Sequence, residues 1–400
     1  MIPRNYYMNQ LAAAKDTDLI KIITGIRRCG KSTLLALFAD RLKEEGIPDD
    51  HIITVNYEKF EFDSLRRAEA LHHYISEKIQ DDARHYLFID EVQELECWPR
   101  IVNSLRVTFP LDIYITGSNS RVFSGEYLTY ITGRYAEIKV YPLSFKEFMT
   151  FRGTEIAQKE ASFNDYLRLG SFPAIALATN PSLRDAIMTG LFDSIFSRDI
   201  LLRGNIRNEG AFFKVAKFVF DNIGNTLSAS AIANTLRSQG HKISVDTVDN
   251  YLSLMSNAFV IYPCERYDIR GKERLRTNGK YYLSDLGLRN ELLGYKTGDL
   301  RHAVENIVFL EYKRRGYTVY VGKYDDLEID FIAVKGNEKL YVQVALSAMD
   351  DNVLQREIRP FPKISDKFPK LLITADPIDL SQDTFTHVNL YDFLLSSPAK

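Results

Sequence analysis

The sequence predicts an α/β chain built first around a parallel sheet, and three stretches carry that prediction. Leu19–Thr24 is a short apolar run, followed by Gly25, Gly30, Lys31 and Ser32 in the spacing G-x-x-x-x-G-K-[ST] and then by the helical stretch Leu34–Ala39. His85–Glu91 is a second apolar run, and it ends in the adjacent acids Asp90 and Glu91. Leu111–Asn119 is a third, ending in Gly117-Ser118-Asn119. Short apolar runs separated by helical stretches are the pattern of buried parallel strands.

In chain order, residues 5–14 read as a short helix leading to the first strand, Leu19–Thr24. The glycines of the following loop let the backbone fold tightly, with N–H groups turned inward around a phosphate chain. The next helix adds the positive end of its dipole at the same point. The predicted phosphate cradle is therefore Gly25, Ile26, Arg27, Arg28, Cys29, Gly30, Lys31, Ser32 and Thr33. Lys31 reaches the β- and γ-phosphates, and the Ser32 hydroxyl ligates Mg²⁺. Cys29 sets a thiol beside the phosphates; the position commonly holds just a small turn residue, and oxidation there would block nucleotide entry. The helix runs to about Glu45 and stops at Gly46-Ile47-Pro48. His51–Tyr57 reads as a second strand and Leu71–Ile79 as a helix.

Acids at the carboxyl end of a buried strand sit where open α/β sheets bind ligands. Asp90 is the candidate for the Mg²⁺ shell, and Glu91 for orienting and deprotonating an attacking water. Adjacent acids also suit a helix start, and the upstream phosphate loop favours the chemical role. The third run ends in Gly-Ser-Asn, which is turn chemistry and which also resembles the polar sensor position of AAA-type ATPases, where an amide or hydroxyl touches the γ-phosphate or the water; that resemblance makes Asn119 or Ser118 the candidate. Arg134 is a candidate for stabilising transition-state charge, in cis or from a neighbouring subunit. A surface salt bridge is the other common use of a lone arginine. A strand over Ala136–Val140 completes five parallel strands, a P-loop α/β sheet.

Composition sets limits on the class. The chain has 400 residues, which suits two to four domains. A net charge of −2 means that any nucleic-acid surface must be local. Three separated cysteines, Cys29, Cys97 and Cys264, argue against a disulfide framework and fit a reducing, cytoplasmic setting. No apolar signal core opens the sequence and no run is long enough to span a membrane.

Gly25 to Ser32, Phe88-Ile89-Asp90-Glu91-Val92-Gln93, Thr116 to Ser120, Gly133-Arg134 and Pro142-Leu143-Ser144-Phe145-Lys146-Glu147-Phe148 together resemble the prokaryotic AAA-type ATPases that carry a C-terminal domain of unknown function. The likeness covers nearly the whole chain. It implies an AAA-type P-loop ATPase domain over residues 1–149, ATP and Mg²⁺ as cofactors, and homo-oligomerisation.

Residues 150–204 alternate at helical spacing, broken at Gly170–Pro173, and read as a lid or linker. Arg198 and Asp199 lie in a stretch that resembles a recurrent motif of the same family. Residues 205–285 read as three helices, Phe212–Ile223, Ser230–Gln239 and Ser244–Asn257, and two wing strands around Phe259–Tyr262 and Lys280–Leu283. That order looks like a winged helix-turn-helix. Arg266, Arg270, Lys272, Arg274 and Arg276 form a local basic cluster, so DNA is a candidate partner through the 228–280 region. The third helix carries Asp246 and Asp249 and no cation, which is poor equipment for reading bases, so non-specific DNA contact and a protein-interaction or packing role both stand for the winged helix.

Residues 286–400 read as a helix over His302–Arg315 and then strands at Thr318–Val321, Leu327–Val334, Leu340–Leu346 and Leu371–Thr374. This order resembles the PD-(D/E)XK nuclease fold, a small α/β restriction-endonuclease-like domain. The positions that match that family's metal site are Glu305, Asp330, Gln343 and Ala345. Alanine stands where the lysine is required, so an inactive domain is expected. The expectation for the whole chain is an ATP-hydrolysing switch or remodeller. The alternatives are a DNA-binding module that uses ATP only as a conformational ligand, and a nuclease.

Overall fold

The structure is a computed structural model that describes residues 1–120, 130–271, 273–296, 298 and 300–396, with the backbone alone for 273–278. The chain divides into two compact units, 1–142 with 257–259, and 143–256 with 260–400. Among the described residues, no helix is long and apolar enough to cross a membrane.

The first unit contains α1 (Asn5–Ala14), β1 (Ile20–Thr24), α2 (Lys31–Glu44), β2 (Ile52–Asn56), α3 (Ala68–Lys78), β3 (His85–Asp90), α4 (Trp98–Thr108), β4 (Leu111–Gly117) and β5 (Tyr135–Lys139). Its strands form one sheet in the order β2-β3-β4-β1-β5, and every pairing is parallel. β1, β3 and β4 are buried along their whole length, which is why each is a continuous apolar run rather than an alternating one. Two charges interrupt that apolarity. Lys21 and Asp112 are fully buried and paired, Lys21 also donates to the Thr17 carbonyl at 3.1 Å, and Asp112 accepts from the Tyr114 hydroxyl at 2.9 Å. Burial holds the Lys21 ammonium below its usual range despite the Asp112 charge.

The second unit opens with α5 (Phe145–Arg152). Ser144 and Glu147 form a reciprocal capping box at its start, so the Pro-Leu-Ser-Phe-Lys-Glu stretch is a helix entrance. Then come α6 (Lys159–Leu169), α7 (Pro173–Leu177) and α8 (Pro181–Asp193), which continues as a π-helical stretch over Ser194–Leu202. The break at Gly170 has a tertiary cause. Its φ is +80°, and a Cβ there would stand 2.3 Å from Oδ1 of Asp285. Asp285 in turn accepts from the Ser171 hydroxyl at 2.7 Å and caps the following helix through Leu288 at 3.2 Å.

α9 (Glu209–Asp221), α10 (Ala229–Ser238) and α11 (Val245–Asn257) follow, then the hairpin β6 (Ile261–Asp268) and β7 (Glu273–Leu283). Thr226 bridges antiparallel to Lys280, so the link from α9 to α10 runs beside the hairpin. The chain ends with α12 (Leu286–Leu293), α13 (Leu300–Arg314), β8 (Thr318–Tyr324), β9 (Leu327–Lys335), β10 (Glu338–Val344), α14 (Asp351–Ile358), β11 (Lys370–Thr374), β12 (Thr386–Asn389) and α15 (Leu390–Leu395). The hairpin is longer than the two wing strands expected, and it is not a separate wing. Arg266–Asp268 of β6 pair in parallel with Val321–Lys323 of β8, giving one seven-stranded sheet, β12-β11-β10-β9-β8-β6-β7.

Candidate active site

Parallel strands align their carboxyl ends, and β4 lies between β3 and β1. Ile89 of β3 pairs with Ile115, and Ile23 of β1 pairs with Thr116. The glycine loop after β1, the acids after β3 and the polar end of β4 are therefore neighbours by topology.

The loop has the conformation that its glycines permit. Gly25 has φ +148°, and a Cβ on it would sit 2.1 Å from the Val140 carbonyl oxygen. Arg28 at φ 64° is left-handed and exposed, and Gly30 at φ 103° starts α2. Lys31 is buried, and its ammonium donates to the carbonyls of Gly25 at 3.0 Å and Ile26 at 3.1 Å. Among the described residues it forms no ion pair. A buried cation folded over a cradle too tight for a Cβ fits a phosphate group. Arg27 pairs with Glu58 at 3.1 Å, and Ser32 and Thr33 are exposed on the first turn of α2.

Thr116 organises the acids. Its hydroxyl donates to Asp90 and accepts the Glu91 N–H at 2.9 Å. Asp90 also accepts from Asn56 at 3.1 Å. Burial raises the Asp90 carboxyl and the Glu91 charge adds to this, while bonds from Thr116 and Ser32 and the Lys31 charge oppose it. A carboxylate at the end of β3 and the Ser32 hydroxyl at the start of α2 together offer oxygen donors of the kind a Mg²⁺ ion takes beside phosphates. Glu91 is held at φ 56°, a costly conformation for a non-glycine residue. Its Oε2 accepts from Gln93 and, at 3.3 Å, from Ser118. Asn119 is buried one residue further along.

The structure thus brings together Gly25, Gly30, Lys31, Ser32, Asp90, Glu91, Ser118 and Asn119. It does not bring Arg134. Tyr135 pairs with Ile20 at the amino end of β1, whereas Lys139 pairs with Thr24 at the P-loop end. Four residues of strand separate the two ends, roughly 13 Å. Arg134 is exposed, and its guanidinium lies 3.4 Å from Oδ1 of Asn103. The turn before β5 thus places Arg134 at the amino end of the sheet, away from the P-loop of its own chain, and of the two routes expected for it this position suits the one from a neighbouring subunit better than the one in cis. Cys29 packs inside the loop. It is buried, its Sγ lies 3.4 Å from the Val140 carbonyl, and burial raises its pKa against the charges of Lys31 and Arg4. Thr116, Asn56 and Gln93 bond the two acids, roles that the sequence reading did not assign to them. Gln93 two places after the acid pair, and Thr116 two before Ser118, were the available signals.

In the second unit, Asp199 is buried and lies 3.6 Å from Arg203 one turn on, while Arg198 is exposed. Lys272 lies outside the described residues, as do the side chains of Arg274 and Arg276. Arg270 pairs with Asp325 at 2.9 Å. Lys280, on the second strand of the hairpin, points inward. It is buried and bonds Glu305 at 3.0 Å and Glu328 at 2.8 Å. A lysine therefore does stand beside Glu305, supplied by β7 rather than by β10.

Tyr282 donates to the same Glu305 oxygen at 2.5 Å. Burial alone would raise the Glu305 carboxyl, but the Lys280 charge and bonds from His302, Tyr282 and Lys280 hold it low. Asp330 accepts from Val344 N–H at 2.8 Å, and burial together with the Glu305 charge pushes it up to about 7. Gln343 uses both ends of its amide, on Asp330 N–H at 2.7 Å and the Glu357 carbonyl at 2.8 Å. Ala345 is buried just past β10. With the Glu305 charge paired to Lys280 and Gln343 bonded at both ends of its amide, this cluster has the features of a structural network.

Comparison with known proteins places these features in a family. An AAA domain matches residues 17–149, and a domain of unknown function, DUF8612, matches residues 160–299. An uncharacterized protein of Haemophilus influenzae is 42% identical over 399 residues, 99% of each chain. The uncharacterized protein MJ1544 of Methanocaldococcus jannaschii is 29% identical over 357 residues, 86% of this chain and 78% of its own length. Among solved structures, the Walker-type ATPase Paby2304 of Pyrococcus abyssi is similar with a TM-score of 0.48 and 17% identity, covering 73% of this chain and 96% of that one.

Proposed function

The chain belongs to the family of the Haemophilus influenzae protein and carries an AAA domain over residues 17–149, and from that premise we propose that it binds ATP with Mg²⁺ and hydrolyses it, as an ATP-driven switch or remodeller. The observation that carries this reading is Thr116, bonded at once to Asp90 and Glu91, at the sheet edge where Lys31 and Ser32 emerge. Mg²⁺ held by Ser32 and Asp90 would offset phosphate charge. Lys31 exchanges its two carbonyl partners for phosphate oxygens. Glu91, pinned by Gln93 and Ser118, takes the proton of the attacking water. Asn119, at the end of β4, is the candidate for contacting the γ-phosphate.

The test is ATP turnover and ATP binding measured side by side. Lys31→Ala should lose both. Glu91→Gln should keep binding and lose turnover by about 10²- to 10⁴-fold. Unchanged turnover in Glu91→Gln would remove the water-activating role, and unchanged binding in Lys31→Ala would remove the phosphate role of the loop.

A second component of the proposal is DNA contact by a winged helix formed by α9, α10, α11 and the β6–β7 hairpin. Its support is a recess of about 780 Å³ beside the α10–α11 turn, lined by Arg237, His241 and Lys242, with Lys214 in the adjoining recess. Lys214→Glu and Lys242→Glu should each weaken duplex binding for all sequences alike and lower the salt slope by about 1. Nucleotide-dependent DNA affinity with negligible turnover would instead favour ATP as a conformational ligand.

A further inference from the structure

His51 and His85 stand side by side because of strand register. β2 and β3 are parallel neighbours with Ile52 paired to Tyr86, so the residues one step earlier are adjacent as well. Their rings stack, with centroids 4.3 Å apart and planes inclined by 23°. His85 is buried, and its Nδ1 lies 2.9 Å from the Ala83 carbonyl. Donating there selects the tautomer whose lone pair is on Nε2. Asp81, in the loop that leads into β3, has Oδ2 3.3 Å from Nε2 of His51. One ligand atom from each of the three residues lies within 4.8 Å of the other two. All three sit at the amino ends of the strands, the opposite end from the P-loop, and the ATP chemistry uses none of them.

We propose that His51, Asp81 and His85 bind a transition-metal dication of the zinc class, which ties the edge strand β2 to β3 and to the loop before it. Two imidazoles and a carboxylate form the mixed N/O donor set that suits Zn²⁺ and its neighbours and is unsuited to Mg²⁺. Four-coordinate zinc with ligands at about 2.0–2.1 Å sets donor atoms roughly 3.3 Å apart. The His51–Asp81 pair already has that separation. The remaining closure falls to side chains that can turn, since Asp81 is exposed and His51 is partly exposed. The buried ring of His85 is the fixed one, and a backbone carbonyl on the second nitrogen is the usual way a ligating imidazole is oriented. Water completes the fourth position on the exposed side of Asp81. The ion closes the loop between two strands that the sheet otherwise joins at its edge, so its binding stabilises the folded unit by mass action.

The experiment uses the full chain, stripped with chelator and free of nucleotide. Zn²⁺ binding is followed by calorimetry, Co²⁺ by its visible absorption, and stability by thermal unfolding. One equivalent should bind, Zn²⁺ should raise the unfolding midpoint, and the Co²⁺ spectrum should lack thiolate charge transfer. Asp81→Asn, at an exposed position, should weaken binding by more than about a hundredfold and abolish the midpoint shift, since even outer-shell changes cost about 10- to 100-fold. His85→Gln should do the same, while Cys97→Ser should leave both unchanged. No bound equivalent in the wild type, or undiminished binding in Asp81→Asn and His51→Gln, would overturn the proposal.

Discussion

Replacing Gly25 by alanine tests the P-loop as a built cradle. At φ +148° the position lies in the region that side chains rarely adopt, and the added Cβ would approach the Val140 oxygen to 2.1 Å and the Cys29 sulfur to 3.1 Å. Real Cβ atoms essentially never come within 3.0 Å of such an atom, so the contact is too short by about 0.9 Å. Val140 cannot yield freely, because its N–H donates to the Thr24 carbonyl at 2.7 Å and joins β5 to β1. The loop must therefore move. Overpacking costs about 1–3 kcal/mol and backbone strain about 1–3 kcal/mol, so a loss of roughly 2–6 kcal/mol is expected. Moving the loop also turns its N–H groups and the carbonyls that hold Lys31. Denaturant unfolding should show the lost stability, and ATP binding by the folded fraction should fall at least tenfold. Wild-type stability together with wild-type ATP affinity would refute the cradle geometry.

Gly170→Ala should destabilise the second unit by a similar amount, because its Cβ would meet Oδ1 of Asp285 at 2.3 Å and the Gly287 nitrogen at 2.8 Å; circular dichroism against temperature checks it. Asp112→Ala leaves the buried Lys21 ammonium without its counter-charge, and chemical denaturation should show a loss of about 3–5 kcal/mol. Asp330 keeps its proton to about pH 7 when folded but only to about pH 4 when unfolded, so its contribution is fully present below pH ~4 and is lost as pH rises through 7. Asp330→Asn is neutral throughout, and its stability relative to wild type should rise between pH 5 and 8 by up to roughly 3 kcal/mol; a difference flat with pH would rule out the raised carboxyl.

The AAA domain was legible in the sequence because its signals are local. An apolar run is a buried strand wherever it packs, a G-x-x-x-x-G-K-[ST] loop needs only its own glycines, and acids at a strand end point the same way in any parallel sheet. Those features located Gly25, Lys31, Ser32, Asp90 and Glu91. Which of them meet, and through what, depended on strand order. Only the placement of β4 between β3 and β1 puts Thr116 against both acids, and only the pairing of Tyr135 with Ile20 sends Arg134 to the wrong end. The hairpin shows the same division. Its strands were visible as apolar and aromatic runs, but pairing between β6 and β8 depends on residues some 55 positions apart, and that contact carries Lys280 inward to Glu305. His51 and His85 look unrelated in a list of residues and become neighbours through one parallel register. Sequence determined the elements and the chemistry each can offer, because backbone propensity and side-chain type are local properties. Tertiary structure decided the partnerships, because register and strand order are set by packing across the whole chain.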